Sequence, residues 1–400
     1  MKRVVKESPV EVAGFRFGAA AAGIRPSGGL DCGLIVADEP AAAGAVFTTN
    51  RFAAAPVIVG RERLRAGRLQ AIFVNSGNAN ACTGKAGLAD ARETARLVGS
   101  GLGISPELVA PLSTGQIGIP LPMKKLARGV AGAIADASQT GLWRFARAIR
   151  TTDAFSKVHR EIARVRGREV TVAAIAKGAG MIAPDMATLL VAVVTDAKLS
   201  GAQARWLARE ITGSSFNELS VDGDRSTNDS LYVLASGRAG HRPVRSHSDL
   251  LGLRGAAIRA GDALSRMVAL DGEGATKAVA IEVVGASTAG VARRVAESVG
   301  RSLLVKTAFH GADPNWGRIA CAIGYSGARF DPERVSIWIE DVQVFRRGAG
   351  CHGREAQARR RMQKAEFRVR ISLGNGKGKA RMITSDLSPA YVRFNSAYTT

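Results

Sequence analysis

The chain has 400 residues, 46% hydrophobic and 22% charged, which excludes wholesale disorder and allows a core that needs neither disulfides nor structural metals. Lysine plus arginine number 56 against 34 aspartate plus glutamate, so the formal charge is +22 and an anionic partner, nucleic acid or a small acidic substrate, has to be weighed. The four cysteines, Cys32, Cys82, Cys321 and Cys351, form no CxxC pair, and no run of about 18 apolar residues occurs; a cysteine zinc site, a disulfide framework and a membrane-spanning helix are excluded.

The amino-terminal MKRVVKESPVEV lacks an apolar signal core, so a cytoplasmic protein is the expectation. Short apolar runs between glycine turns predict strands at 46–49, 56–59 and 70–75. Spacing of 3.6 residues predicts a helix over 86–98, another after Pro122 and a third over 142–149. A strand at 169–176 leads into KGAGMIAPDMATLL, residues 177–190, and the apolar run 189–194 reads as a buried strand. Beyond it come a helix at 202–211, a strand at 231–235, one long or two short helices over 248–270, a strand at 279–284 and a helix at 289–299. FRVRISL, residues 367–373, alternates as a half-exposed strand with its arginines outward. Without a strict βαβ rhythm, the mixture predicts α+β layers rather than a doubly wound parallel sheet.

Several familiar motifs fail. GSGLG at 99–103 does not follow a strand of a βαβ unit, GNGKGK at 374–379 lacks the spacing and final Ser/Thr of a P-loop, and GxSxG is absent. His159 and Glu161 form an HxE with no following PCxxC, and the five histidines make no ligand pair at helical spacing. Asp222, Asp224, Asn228 and Asp229 suggest a metal loop, but the EF-hand glutamate is missing and a structural loop is the simpler reading. No metal site is expected.

The segment before Thr188 is the informative one. Gly178 and Gly180 permit sharp turns, Pro184 biases Ala183 away from helix, and a threonine then opens an apolar strand. A Gly/Pro turn before a β-branched residue is ordinary in itself. The chemical reading is that the Thr188 hydroxyl attacks the Ala187 carbonyl in an N-to-O acyl shift. Hydrolysis of the ester would then leave Thr188 with a free α-amine, whose pKa of about 7.7–8.0 suits it to act as the hydroxyl's own base.

KGAGMIAPDMATLL resembles the nucleophile segment of the ornithine acetyltransferase family, the bifunctional glutamate N-acetyltransferase and amino-acid acetyltransferase of arginine biosynthesis. VNSGNANACTG (74–84), LSTGQIG (112–118), TTDAF (151–155), VDGDRSTNDS (221–230), DGEGATK (271–277), VKTAFHGADPNWGRI (305–319) and NSAYTT (395–400) resemble family segments in family order. The resemblance implies a layered fold of the amino-terminal-nucleophile hydrolase type, cut between Ala187 and Thr188. An α chain of 1–187 and a β chain of 188–400 would stay together in one intertwined unit, commonly as an α2β2 heterotetramer. It implies acetyl transfer from N-acetylornithine to glutamate through acetyl-Thr188, with no cofactor and with acetyl-CoA as a second donor in many members. By the same resemblance Thr114 and Gly115 form the oxyanion hole. Thr152, Lys177, Thr188, Glu273, Asn395 and Thr400 bind substrate, the last two requiring the tail to fold back. Thr151 leaves a one-residue ambiguity beside Thr152. Taken singly, STG reads as a turn, Lys177 as a surface lysine and Glu273 as a solvated loop carboxylate. Asp185 stands where the family usually has asparagine, and Pro389 interrupts a stretch looser than the family's.

Two other readings stand beside it. An amidase or aminopeptidase of the same self-cleaving architecture would pass the acyl group to water. A nucleic-acid-binding protein would use the basic stretch 354–381, but no aromatic stacking motif accompanies Arg359 to Arg361. Small-molecule substrates, with no nucleic acid and no membrane, are the expected partners.

Overall fold

The computed structural model describes residues 7–183, 189–244, 246, 248–374 and 376–397. Two mixed sheets carry the chain. The first contains β1 (Phe15–Ala20), β2 (Cys32–Phe47), β3 (Arg68–Asn78), β4 (Val109–Gln116), β5 (Lys157–Val165), β6 (Arg168–Lys177), β7 (Leu190–Thr195) and, after the short β8 (Leu219–Ser220), β9 (Ser230–Ala235). Its order is β4-β3-β2-β9-β7-β6-β5, with β1 antiparallel against the first half of β2. Only β3/β4 and β7/β9 are parallel; the other neighbours run antiparallel.

The second sheet joins β8 to β10 (Ala278–Ala286), β11 (Ser336–Ile339), β12 (Val342–Arg346), β13 (Ala349–Gly350), β14 (Glu366–Ser372) and β15 (Gly378–Ser385), ordered β13-β12-β11-β14-β10-β15-β8. The architecture is α+β and layered, as the uneven alternation of elements predicts.

Helices α1 (Ala55–Arg63), α2 (Gly84–Leu102), α3 (Met123–Ala135) and α4 (Leu142–Ala148) precede β5; α5 (Gly201–Ser214) and α6 (Leu251–Leu270) follow β7. Alternation along the central strands divides the core. Val172, Ala174, Val191 and Val193 pack with Leu207 and Ile211 of α5 and Ala256 and Leu264 of α6. Ala173, Ile175, Ala192 and Val194 face the opposite core with Phe145 of α4 and Phe17 of β1. All six residues of β7 are buried, so a strand covered on both faces reads as an unbroken apolar run. Each such Val or Leu side chain contributes about 1.5–3 kcal/mol.

On the second sheet, Val279, Ile281, Val369 and Ile371 pack under α7 (Ala289–Arg301), with α8 (Leu303–His310) and α9 (Trp316–Gly324) beside it. Arg368 and Arg370 of β14 point to solvent, as the alternation in FRVRISL predicts. After α10 (Glu355–Met362) and the last strands, α11 (Pro389–Ala397) ends the described chain with no buried residue of its own.

Local chemistry sets the ends. α5 opens on a capping box, Ser200 Oγ accepting from Gln203 N at 3.2 Å while Gln203 Oε1 accepts from Ser200 N at 2.9 Å. Residues 56–59, expected as a strand, lie inside α1. Pro56 sits in its first turn, where a missing N–H costs nothing, and Val57 and Val59 are buried against different neighbours. The strand expected at 46–49 is the tail of the 16-residue β2, whose register on β3 shifts between Val36 and Ala41 around Pro40. Residues 251–270 form one helix. Among the described residues no helix is long and apolar enough to cross a membrane.

Candidate active site

A cavity of about 230 Å³ opens where β4 and β6 end. Thr114, Gly115, Thr152, Lys177, Glu273 and Asn395, all six predicted site residues within the described chain, line it. Ala187, Thr188 and Thr400, with Asp185, lie outside the described residues. Ile182 and Leu189, on either side of that gap in the sequence, are both in the cavity wall.

Thr114 and Gly115 are delivered by the parallel pairing of β4 on β3, with Thr114 opposite Ser76 and Gly115 opposite Gly77. Gly115 has φ +133°, and a Cβ there would lie 2.5 Å from the Asn78 nitrogen. Only glycine lets the two backbones approach this closely.

The asparagines of NSGNAN pin this corner. Asn75 Oδ1 accepts from Ser113 Oγ at 2.6 Å, Asn78 Nδ2 donates to the Ile119 and Pro120 carbonyls at 3.1 Å, and Asn80 Nδ2 donates to Gly87 O at 2.9 Å. From the far side Asn228 Nδ2 donates to Ala79 O at 2.6 Å and Ser113 O at 2.8 Å. The segment is a hydrogen-bonded turn cluster beside the site.

Lys177 ends β6, and its buried ammonium donates to Thr151 Oγ1 at 2.8 Å and Thr114 Oγ1 at 3.2 Å. An ammonium has no acceptor capacity, so Thr114 Oγ1 must accept here and its own proton stays free to be donated into the cavity. Burial lowers the Lys177 pKa, against the pull of Asp153, Asp229 and Glu273; Lys157 adds to the lowering. Both Thr151 and Thr152 face the cavity, so the two share that position.

Glu273 follows a tight turn, and its N–H donates to Ala179 O at 2.9 Å. A Cβ at Gly180 would meet Glu273 Oε2 at 2.5 Å, so the second glycine of KGAG makes room for this carboxylate. The helix α11 (Pro389–Ala397) brings Asn395 back to Glu273. Asn395 Nδ2 donates to Glu273 Oε2 at 3.0 Å, and Ser388 Oγ donates to Gly274 O at 2.6 Å while accepting from Ala390 N at 3.1 Å. Pro389 is the first residue of α11, a position that suits proline, so the departure from the family's pattern there is a helix start.

The first aspartate of VDGDRSTNDS does structural work. Asp222 accepts from Met181 N at 2.6 Å and Ile182 N at 2.8 Å, and Val221 N donates to Ile182 O at 2.8 Å. These bonds hold Met181 at φ +57°, a left-handed conformation that side chains disfavour. Ser230 N donates to Leu189 O at 3.0 Å on the other side. Among the described residues no three of His, Cys, Asp and Glu are placed to share a metal.

Sequence reasoning assigned no site role to Asp229 and did not note Tyr391, yet both line the cavity. Asp229 is buried, no partner for its Oδ2 lies among the described residues, and burial raises its pKa well above its usual value. The adjacent Asn-Asp at the mouth of an apolar strand was the available signal.

The ArgJ family profile matches residues 16–400. The arginine biosynthesis bifunctional protein ArgJ of Geobacter sulfurreducens is 45% identical over 398 residues, covering 98% of this chain and all of that one. Its counterpart in Syntrophotalea carbinolica is 46% identical over 401 residues, with 98% and 100% covered. Among solved structures, a chain of the arginine biosynthesis bifunctional protein of Bacillus halodurans is 37% identical, covering 51% of this chain and 96% of that one at a TM-score of 0.49.

Proposed function

The chain belongs to the ArgJ family, and from that membership we infer that it is an acetyltransferase of arginine biosynthesis that moves acetyl from N-acetylornithine to glutamate through a threonine ester. The observation that carries the reading is the convergence of Thr114–Gly115, Thr152, Lys177, Glu273 and Asn395, from five separate stretches of sequence, on one cavity that Leu189 also lines.

In maturation, the Thr188 hydroxyl adds to the Ala187 carbonyl carbon, the C–N bond breaks, and the proton passes to the new amine. Water then hydrolyses the ester, leaving a carboxylate on Ala187 and a free α-amine on Thr188. In turnover, that amine takes the hydroxyl proton as Oγ attacks the acetyl carbonyl, then returns it to the departing α-nitrogen of ornithine. Glutamate's amine attacks the acetyl ester next, regenerating the hydroxyl. The Thr114 hydroxyl, its oxygen already taken by Lys177, and the Gly115 N–H are the donors for the oxyanion; one such donor is worth about 2.7–4 kcal/mol. Lys177 takes the substrate carboxylate and Glu273 the ornithine ammonium. No step calls on a metal or bound cofactor, and acetyl-CoA is a second donor.

The cut halves remain together. β6, before the junction, pairs with β7 after it over six residues, and β9 lies between β2 and β7. Neither half completes the first sheet alone, and two such αβ units associate as α2β2.

The test is partition. Purified enzyme given N-acetylornithine and glutamate should yield N-acetylglutamate and ornithine in equal amounts. Acetate accumulating in place of N-acetylglutamate would make it an amidase instead.

A further inference from the structure

The Asp153–Lys157–Asp271 triad lies beneath the cavity without lining it. The side chains of Asp153 and Lys157 are wholly buried and that of Asp271 is 3% exposed. Lys157 Nζ donates to Asp153 Oδ1 at 2.6 Å and to Asp271 Oδ2 at 2.5 Å. Each carboxylate also accepts backbone N–H groups from the loops that carry site residues. Asp153 Oδ1 accepts from Gly178 N at 2.7 Å and its Oδ2 from Thr151 N at 3.0 Å. Asp271 accepts from Ala154 N at 3.1 and 3.2 Å, and two residues later Glu273 N reaches Ala179 O at 2.9 Å. The bonds close a ring through residues 151–157, 178–179 and 271–273.

Building on the function proposed above, we propose that Lys157 is a positioning residue for acetyl transfer, whose ammonium between Asp153 and Asp271 fixes the loops of Thr151–Thr152, Lys177 and Glu273 in one arrangement. The chemistry of the triad favours this role over simple stabilisation. A buried ion pair contributes little that packed apolar side chains could not, but it holds groups to defined directions. Two carboxylates to one lysine also leave a net negative charge, and it faces the Lys177 ammonium. Asp153 thus serves both cations, and their joint pull holds its carboxyl low although burial opposes ionisation. Losing Lys157 loosens the carboxylate end and the ammonium end of the substrate site together.

The test compares the full-length wild type with Lys157→Met, Asp271→Asn and the double variant, the milder Asp271→Asn guarding against a lysine variant that does not fold. KM for N-acetylornithine and the calorimetric Kd for ornithine should rise about 10- to 100-fold in each, as for a site displaced by roughly 1 Å. The double variant should be no worse than the poorer single one, because both break the same ring. Hydrogen exchange should quicken together in peptides covering 151–155, 177–182 and 271–275 while β7 and β9 stay protected. Folded variants with KM and Kd within threefold of wild type, or faster exchange confined to 153–157, would overturn the proposal. A wild type without acetyl transfer would instead sink the functional reading, and hydrogen exchange would still judge the ring.

Discussion

Replacing Gly115 with alanine tests the oxyanion corner most sharply. Its added Cβ would sit 2.4 Å from the Gly77 carbonyl carbon and 2.5 Å from the Asn78 nitrogen, where ordinary contact begins near 3.4 Å, so β3 and β4 must part by about 1.0 Å. The neighbour is backbone, held by the asparagine bonds, and cannot rotate away. A φ of +133° adds a strain of about 1–3 kcal/mol for any residue with a Cβ. Displacing the Thr114 hydroxyl and Gly115 N–H from the developing oxyanion should cost what losing one donor costs, about 100- to 1,000-fold in kcat. Gly103→Ala is the control. It has φ +68° at the end of α2, and none of the described residues lies within 4 Å of an added Cβ, so it should lose stability through strain alone and keep kcat. The assay is initial-rate kinetics with N-acetylornithine at saturating glutamate, alongside thermal unfolding. A Gly115→Ala enzyme that is folded and within threefold of wild-type kcat would remove this corner from the mechanism.

Two further outcomes follow from the tail and from Lys306. Deleting residues 389–400 removes a helix with no buried residue, so stability should change by less than about 1 kcal/mol. Because Asn395 no longer holds Glu273, kcat/KM should fall about 10- to 100-fold, the worth of one hydrogen bond to a charged group; thermal unfolding and kinetics on the same preparation check both. Lys306 is buried, donates to the carbonyls of Val221 and Ser385, and burial depresses its pKa from 10.5 to about 8. Between those values the unfolded chain binds more protons than the folded one, so the Lys306 contribution to stability rises with pH across that window and is smallest below pH 8. The difference between wild type and Lys306→Met in denaturant unfolding should therefore shift toward wild type by up to about 3 kcal/mol from pH 8 to 10.5; a flat difference would contradict the burial argument.

Much of the site was legible because the ordered motifs each end an element at the cavity: STG closes β4, Lys177 closes β6, and Glu273 turns out of α6. Local pattern alone left these residues as turns and surface charges, since the sequence does not state which strand ends meet. The buried strands 190–195 and 230–235 were readable from apolar runs. Pro56-Val-Ile-Val was misread because β-branched residues favour strands, and what makes it helical is tertiary: two faces of one short segment each find a separate apolar pocket. The ring through Lys157 was invisible because Asp153 and Asp271 are more than a hundred residues apart. Asp222 offered a metal-loop pattern whose purpose, two backbone amides, appears only in three dimensions.

The most direct measurement is the intact mass of the denatured protein, with amino-terminal sequencing of each component. The account requires two polypeptides in equal amount, the second beginning at Thr188, and a Thr188→Ala chain that stays whole and transfers no acetyl. An uncut 400-residue enzyme that turns over N-acetylornithine at full rate would contradict it.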